Sequence, residues 1–248
     1  MAPTTLLASA ILALSTAAGF AWVGAIMWRK ERPAHGGQAL TMFTLFWASA
    51  AIIWTAQGLG SLAGYAGQAT LPLLGALDQV STPFYCLAAA GLLYYVLYLL
   101  TGRERLLGPI LGYYLVLFFL LRLRVETAHR VDIDVGGWVV NFVYATPLRG
   151  LQYTLIVALI SGPLLAGILA YSTLGFRVRE AATRYRIALV TVGLLAWVGT
   201  EALSFITGYA TTTQGEITRR VAALAGTILV VLAYRPPRRF RDRLQDAR

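Results

Sequence analysis

The chain has 248 residues, of which 58% are hydrophobic and only 13% charged, and its mean hydropathy is +0.65. Several continuous apolar runs of about 18 to 25 residues are each long enough to cross a hydrocarbon core of about 30 Å as a helix. The net charge of +10 does not indicate a nucleic-acid partner, because the basic residues lie at the ends of these runs, where they fix topology. The composition therefore excludes a water-soluble domain and predicts an all-α, polytopic membrane protein.

The apolar runs divide residues 1–234 into a bundle of seven predicted membrane helices, and a basic tail follows over 235–248. The predicted helices span about 4–28, 40–65, 71–100, 106–121, 151–174, 187–209 and 216–234. Pro83 predicts a kink in the third helix, and Gly162 with Pro163 predicts another in the fifth.

The segment between the fourth and fifth helices has a different pattern. Val131, Ile133 and Val135 alternate with charged residues, and two glycines then lead into a β-branched and aromatic run. This pattern predicts a small β-hairpin over about 129–145. The alternative is that residues 138–144 re-enter the membrane, since Pro147 disfavours one continuous helix from 138 to 173.

Basic residues set the predicted orientation. Fifteen of the 21 Lys and Arg residues lie on one side, in the loops after the first, third and fifth helices and in the tail. The positive-inside rule then places the amino terminus outside, the carboxyl terminus in the cytoplasm and the hairpin on the extracytoplasmic side of a plasma membrane. We expect the cytoplasmic loops and the tail to contact anionic lipid headgroups, at about 1 kcal/mol for each basic residue.

The candidate site starts from Asp78, an acid inside the third helix. A carboxyl group within hydrocarbon costs at least about 3 kcal/mol, so such a residue indicates a functional site. Helix direction places further polar residues in the same outer leaflet, where they are predicted to line an outward-facing cavity for a small ligand or ion. The six predicted ligand-binding residues are Asp78, Gln79, Gln57, Thr82, Glu201 and Arg149.

Other roles for these acids remain open at this stage. Asp78 and Glu201 can instead pair with Arg149, Arg122 or Arg219 to tie helix ends together, or one of them can face a partner subunit. A metal at the hairpin is a weaker alternative, on the four residues Glu126, His129, Asp132 and Asp134. No phosphate loop, nucleophile elbow or HExxH motif is present in the sequence, so we predict no enzyme activity, no metal and no cofactor.

Three segments carry a family resemblance: FWASAAIIWTAQGL (46–59), QVSTPFYCLAAAGLLYYVLYLLTGR (79–103) and RYRIALVTVGLLAW (184–197). In these the chain resembles the seven-helix membrane region at the amino terminus of some bacterial and archaeal sensor histidine kinases. Its proportions are also similar to those of microbial rhodopsins, but the only lysine, Lys30, lies in a predicted loop, which excludes a covalent retinal. The resemblance to the kinases implies a sensor, and because no kinase follows the seventh helix, we expect it to signal through a separate protein partner.

We therefore expect a sensor- or receptor-like membrane protein with an outward-facing polar cavity. The alternatives are a proton or cation channel or transporter, and an accessory subunit of a larger membrane complex. A transporter is disfavoured because no inverted repeat is visible and no acid relay reaches the cytoplasmic half.

Overall fold

The computed structural model describes residues 4–31, 37–125, 128–134, 137–144, 147–207 and 212–237. Within this part of the chain, seven helices are long and apolar enough to cross a membrane. The predicted seven-helix membrane protein is thereby confirmed at the level of helix number and hydropathy. Most of the basic tail, from residue 238 onwards, lies outside the described residues, and its predicted lipid contact stays a prediction.

The helices are α1 Thr4–Ile26, α2 Gln38–Tyr65, α3 Leu71–Thr101, α4 Leu107–Val125, α5 Pro147–Arg177, α6 Ala181–Leu194, α7 Thr200–Ile206 and α8 Thr213–Tyr234, and the strands are β1 Ala128–Asp134 and β2 Val139–Tyr144. A π-helical turn, Leu195–Gly199, joins α6 to α7, so that these two helices and the turn form the sixth membrane helix. A second π-helical turn, Met27–Glu31, extends α1, and α8 is the seventh membrane helix.

Two helices begin four or more residues earlier than their sequence patterns indicate. The fifth begins at Pro147 rather than 151, and proline at the first helical position costs no hydrogen bond. The sixth begins at Ala181 rather than 187, because its first turns include Arg184 and Arg186. Long arginine side chains can reach polar surroundings from inside the end of a helix, so charge alone does not mark the boundary.

The helices close into a ring. Each membrane helix packs against the next one in sequence, and α8 packs against α1, while α3 also packs across the bundle against α5. Large aromatic side chains fill the centre of this ring, among them Phe20, Trp47, Trp54 and Tyr94. These four side chains come from α1, α2 and α3, and α4, α5, α6 and α8 add buried aliphatic residues.

Glycine allows a close helix approach between α6 and α8. A Cβ atom on Gly193 would lie 2.6 Å from the carbonyl oxygen of Gly226, and a Cβ on Gly226 would in turn collide with the carbonyl oxygen of Gly193. The two backbones are therefore in direct contact, as small residues permit in membrane helices. We call this contact the glycine crossing.

Helix α5 continues through Pro163 without interruption. Proline lacks an N–H group, so the carbonyl four residues earlier, on Leu159, loses its helical donor. The Tyr113 hydroxyl of α4 donates to that carbonyl oxygen at 2.9 Å, and the Tyr114 hydroxyl lies 3.4 Å from the carbonyl oxygen of Ile160. A neighbouring helix thus replaces the hydrogen bond that proline removes, which is how membrane helices tolerate proline.

The predicted hairpin is confirmed as an antiparallel pair of strands. Val131 lies opposite Phe142 and Ile133 opposite Val140, and the register shifts between Ala128 and Arg130. The hydroxyl of Thr5, at the start of α1, donates to the Gly137 carbonyl oxygen at 2.7 Å. The hairpin therefore lies where α1 begins and α2 ends, and we call this the hairpin end of the bundle.

Candidate functional site

Four of the six predicted site residues lie in α2 and α3, and a hydrogen bond joins these two helices. The Gln57 side-chain amide donates to the Tyr85 hydroxyl oxygen at 2.8 Å. The Thr82 hydroxyl lies 2.7 Å from the backbone oxygen of Asp78, to which it donates, and 3.1 Å from its Oδ2. Gln57, Asp78, Thr82 and Tyr85 are called the α3 group below. Gln79, next to Asp78 in α3, is exposed on the helix surface.

The other two predicted residues lie elsewhere. Arg149 is in the first turn of α5, and its side chain is outside the described part of the chain. Glu201 is in α7, and its carboxylate contacts α8. Of the ion pairs that the sequence left open, the structure contains Glu201 with Arg219.

Four charged side chains form a continuous network between α7 and α8. Arg219 donates from Nε to Oε2 of Glu201 at 2.7 Å, and from Nη1 to Oε2 of Glu216 at 2.6 Å. Arg220 donates from Nε to the other Glu216 oxygen, Oε1, at 2.8 Å. Glu201, Arg219, Glu216 and Arg220 are called the charge network below, and their formal charges sum to zero.

Local sequence explains three of the four positions. Glu216, Arg219 and Arg220 are spaced i, i+3 and i+4, so they share one face at the start of α8. Thr212 caps this helix by accepting a hydrogen bond from the Gly215 N–H at 3.0 Å. An acid in the first turn also faces the positive end of the helix dipole, which stabilises Glu216 where it lies.

Burial increases along the charge network. The side chains of Glu201 and Arg219 are 19% and 15% exposed, whereas those of Glu216 and Arg220 are 4% and 5% exposed. Removing charges this far from water is costly unless each has a well-placed opposite partner. The inner pair therefore depends on its ion pairs, while the outer pair is nearer the surface of the bundle.

An aromatic cluster lies against the buried end of the network. The Arg220 guanidinium carbon is 5.9 Å from the ring centroid of Trp54, within the range of a cation–π interaction. The Trp54 ring is 6.4 Å from that of Trp197, which in turn lies 4.7 Å from Phe20. Trp197 belongs to the π-helical turn of the sixth helix, a local geometry that often occurs at functional sites.

Two buried donors in this region have no hydrogen-bond partner among the described residues. They are Nη1 of Arg220 and the indole Nε1 of Trp54, whose residues are 4% and 2% exposed. Buried polar groups are normally hydrogen-bonded, so each such atom needs an explanation. Both atoms are donors, and the chemical group that matches them is an acceptor.

Sequence reasoning found one end of this network and missed the other. Glu201 is an acid inside an apolar run and is conspicuous for that reason, whereas Glu216 and Arg220 lie at the start of the last run, where charged residues are common. The i, i+3, i+4 spacing of Glu216, Arg219 and Arg220 was the available signal. It indicates a shared helix face, but it does not indicate that another helix buries that face.

The described residues contain no group of three or more His, Cys, Asp and Glu side chains arranged to hold a metal ion. At the hairpin, Asp132 lies 3.7 Å from Arg130, and both side chains are more than half exposed. Glu126 lies outside the described residues, as does the side chain of Asp134.

Comparison with known proteins does not assign a family. No protein-family model matches the chain, and no curated protein matches it well enough to indicate a relationship.

Proposed function

We propose that this integral membrane protein is sensor- or receptor-like, and that the charge network is the element whose state it detects. The observation that carries the proposal is a buried, four-charge network that joins two membrane helices beside a π-helical turn. When a ligand or a proton binds and alters one of these ion pairs, the packing of α7 against α8 changes.

The glycine crossing supports a route from the network towards the other end of the bundle. Gly193 precedes the π-helical turn by two residues, and Glu201 follows the turn by two. A close backbone contact on one side of the turn and an ion pair on the other hold the sixth helix at two points. When the ion pair changes, we expect the sixth helix to rotate against α8 about the glycine crossing, because packed helices move as rigid units about their contacts.

The opposite end of the sixth helix carries the basic residues that would report the change. Arg186, in the second turn of α6, places its guanidinium 5.4 Å from the ring centroid of Tyr234, the last residue of α8. A shift of α6 relative to α8 alters this contact. In the orientation that the basic loops predict, the contact lies at the cytoplasmic end, next to the loop and tail that would meet a protein partner.

Hydrogen–deuterium exchange in a mild detergent tests this function. We expect Glu201→Gln to change amide exchange in residues 178–186, at the far end of the sixth helix, because the variant weakens one anchor of that helix. Asp132→Asn is the matched control: it also converts an acid at the hairpin end to its amide, but the described contacts of Asp132, with Arg130 and the Ile133 N–H, lie within β1.

Exchange at residues 178–186 that is unchanged in Glu201→Gln, or changed equally in Asp132→Asn, would contradict the proposal. Native mass spectrometry of protein taken from its own membranes separates the remaining functions. A stoichiometric protein companion with no bound small molecule would favour an accessory subunit. Acid-dependent ion flux in liposomes would favour a transporter.

A further inference from the structure

The two arginines of the charge network are not equally compensated. Arg219 contacts two carboxylates, those of Glu201 and Glu216. Among the described residues, Glu216 is the one carboxylate that contacts Arg220, and Arg219 shares it. The network therefore runs in alternating charge from Glu201 to Arg220, and its buried end is the positive one. With a second negatively charged partner, Arg220 would have two such partners, as Arg219 has.

The unpartnered donors lie at that positive end. Nη1 of Arg220 and Nε1 of Trp54 belong to side chains in cation–π contact, and both atoms are buried. Both can donate, and neither can accept, in any protonation state that proteins reach. Arg220 and Trp54 are only 4% and 2% exposed, so the complementary occupant is a compact acceptor rather than a large polar molecule.

We propose that Arg220 and Trp54 bind one small monovalent anion of about the size of chloride, and that one proton enters with it and resides on Glu201. The proposal rests on the proposed function, since it names the ligand class of the same site. The anion accepts from Nη1 of Arg220 and Nε1 of Trp54 and completes the alternation of charge beyond Arg220.

The proton follows from charge balance. The charge network is neutral, so an anion alone would leave a net negative charge among buried groups, which is costly in a low-dielectric interior. One anion and one proton together leave the sum at zero. Protonated Glu201 then leaves Arg219 with Glu216 as its acidic partner, and the charges alternate from Arg219 to the bound anion.

Glu201 is the proton acceptor because it lies at the outer end of the network and is more exposed than Glu216. Arg219 faces it directly from α8, and Glu216 and Arg220 face it through Arg219. Helix α5 also packs against α7. Its charged residues are Arg177, at the end away from the hairpin, and Arg149, whose side chain is outside the described part of the chain.

Calorimetric titration of the full chain with sodium chloride tests the proposal, in non-ionic detergent and a gluconate buffer at pH 5.5 and 7.5. Uptake of one proton with each anion makes the chloride affinity rise by up to tenfold for each unit that the pH falls. Glu201→Gln replaces the carboxyl that is proposed to take the proton with a neutral amide, so its chloride affinity should be the same at both pH values. Arg220→Gln should show no binding heat.

A pair of tryptophan variants isolates the second donor. Trp54→Phe keeps an aromatic ring but removes the N–H, and should weaken chloride binding by about five- to tenfold, the worth of one hydrogen bond. Trp47→Phe is the matched control, because it removes a similarly buried and unpartnered indole N–H from the same helix, two turns away. Elution volume and melting temperature establish that each variant is folded.

No chloride heat at either pH would overturn the proposal and leave ordered water as the acceptor. Equal weakening by Trp54→Phe and Trp47→Phe, or wild-type affinity that does not depend on pH, would overturn it as well. The exchange experiment above separates this result from the function. If Glu201→Gln alters amide exchange in residues 178–186 but chloride does not bind, the ligand class is wrong and the sensor function stands. If chloride binds but Glu201→Gln does not alter that exchange, the anion site is supported and the sensor function is contradicted.

Discussion

The α3 group and the charge network both place an acid inside a membrane helix near the hairpin end, and the described contacts of the two acids differ. The described contacts of Asp78 include Thr82, four residues later in the same helix. Glu201 contacts Arg219 of another helix. A contact within one helix stabilises that helix wherever it moves, whereas a contact between helices fixes their relative position. Only the second kind can couple occupancy to helix movement.

The largest effect is expected from Glu216→Gln, which removes the carboxylate that both arginines of the charge network share. The buried guanidinium of Arg220 and the partly exposed one of Arg219 then lose the carboxylate between them, and a broken buried pair costs about 3 to 5 kcal/mol. Thermal unfolding in a mild detergent, followed by tryptophan fluorescence, measures the loss. The double variant Glu216→Gln with Arg220→Gln should lose less than Glu216→Gln alone, since it also removes one unpaired charge. An unfolding midpoint equal to that of the wild type would show that the network adds nothing to stability.

The next largest effect is expected at the glycine crossing. Gly193→Ala puts a methyl group 2.6 Å from the carbonyl oxygen of Gly226, so α6 and α8 must separate. Overpacking of this kind costs about 1 to 3 kcal/mol. Gly112→Ala in α4 is the control, because its Cβ would meet no other atom within 4 Å, and its stability should equal or slightly exceed that of the wild type. If both variants melt alike, α6 and α8 are not in backbone contact.

The hydropathy of the sequence and the spacing of its apolar residues predicted most of the fold, because both signals lie in neighbouring residues of one segment. The number of membrane helices follows from the length of the apolar runs, and the hairpin follows from the alternation of Val131, Ile133 and their charged neighbours. The boundary at Ala181 was placed too late, because an arginine inside the end of a helix has the same sequence pattern as an arginine in a loop. The orientation in the membrane stays a prediction.

The candidate site was less predictable, because its partners come from different helices. Glu201 was found from the sequence, since an acid inside an apolar run is conspicuous by itself. Arg220 was not, because its depth depends on Trp54 of α2, which covers it. Neither the π-helical turn nor the contact of Trp54 with Trp197 has a signal in the local sequence.

A smaller effect is expected at the proline of α5, where α4 supplies the missing donor. Tyr113→Phe removes the hydroxyl that donates to the Leu159 carbonyl oxygen, at a cost of about 1 kcal/mol. Pro163→Ala restores a backbone N–H for that carbonyl, so Tyr113→Phe should cost less in the Pro163→Ala background. Unfolding measurements on the two single variants and the double variant give the coupling between them. Equal costs of Tyr113→Phe in both backgrounds would mean that the hydroxyl does not compensate for the proline.

The smallest effect is expected from Asp78→Asn, and it tests the comparison between the two acids directly. Asparagine keeps an acceptor oxygen for the Thr82 hydroxyl and removes a charge that is costly in a membrane helix, so the change in stability should stay below about 1 kcal/mol. Glu201→Gln should lose more under the same conditions, because the Arg219 guanidinium then lacks one of its two carboxylates. A loss in Asp78→Asn as large as that in Glu201→Gln would mean that Asp78 also holds two helices together. The α3 group would then belong with the charge network as an interhelical element.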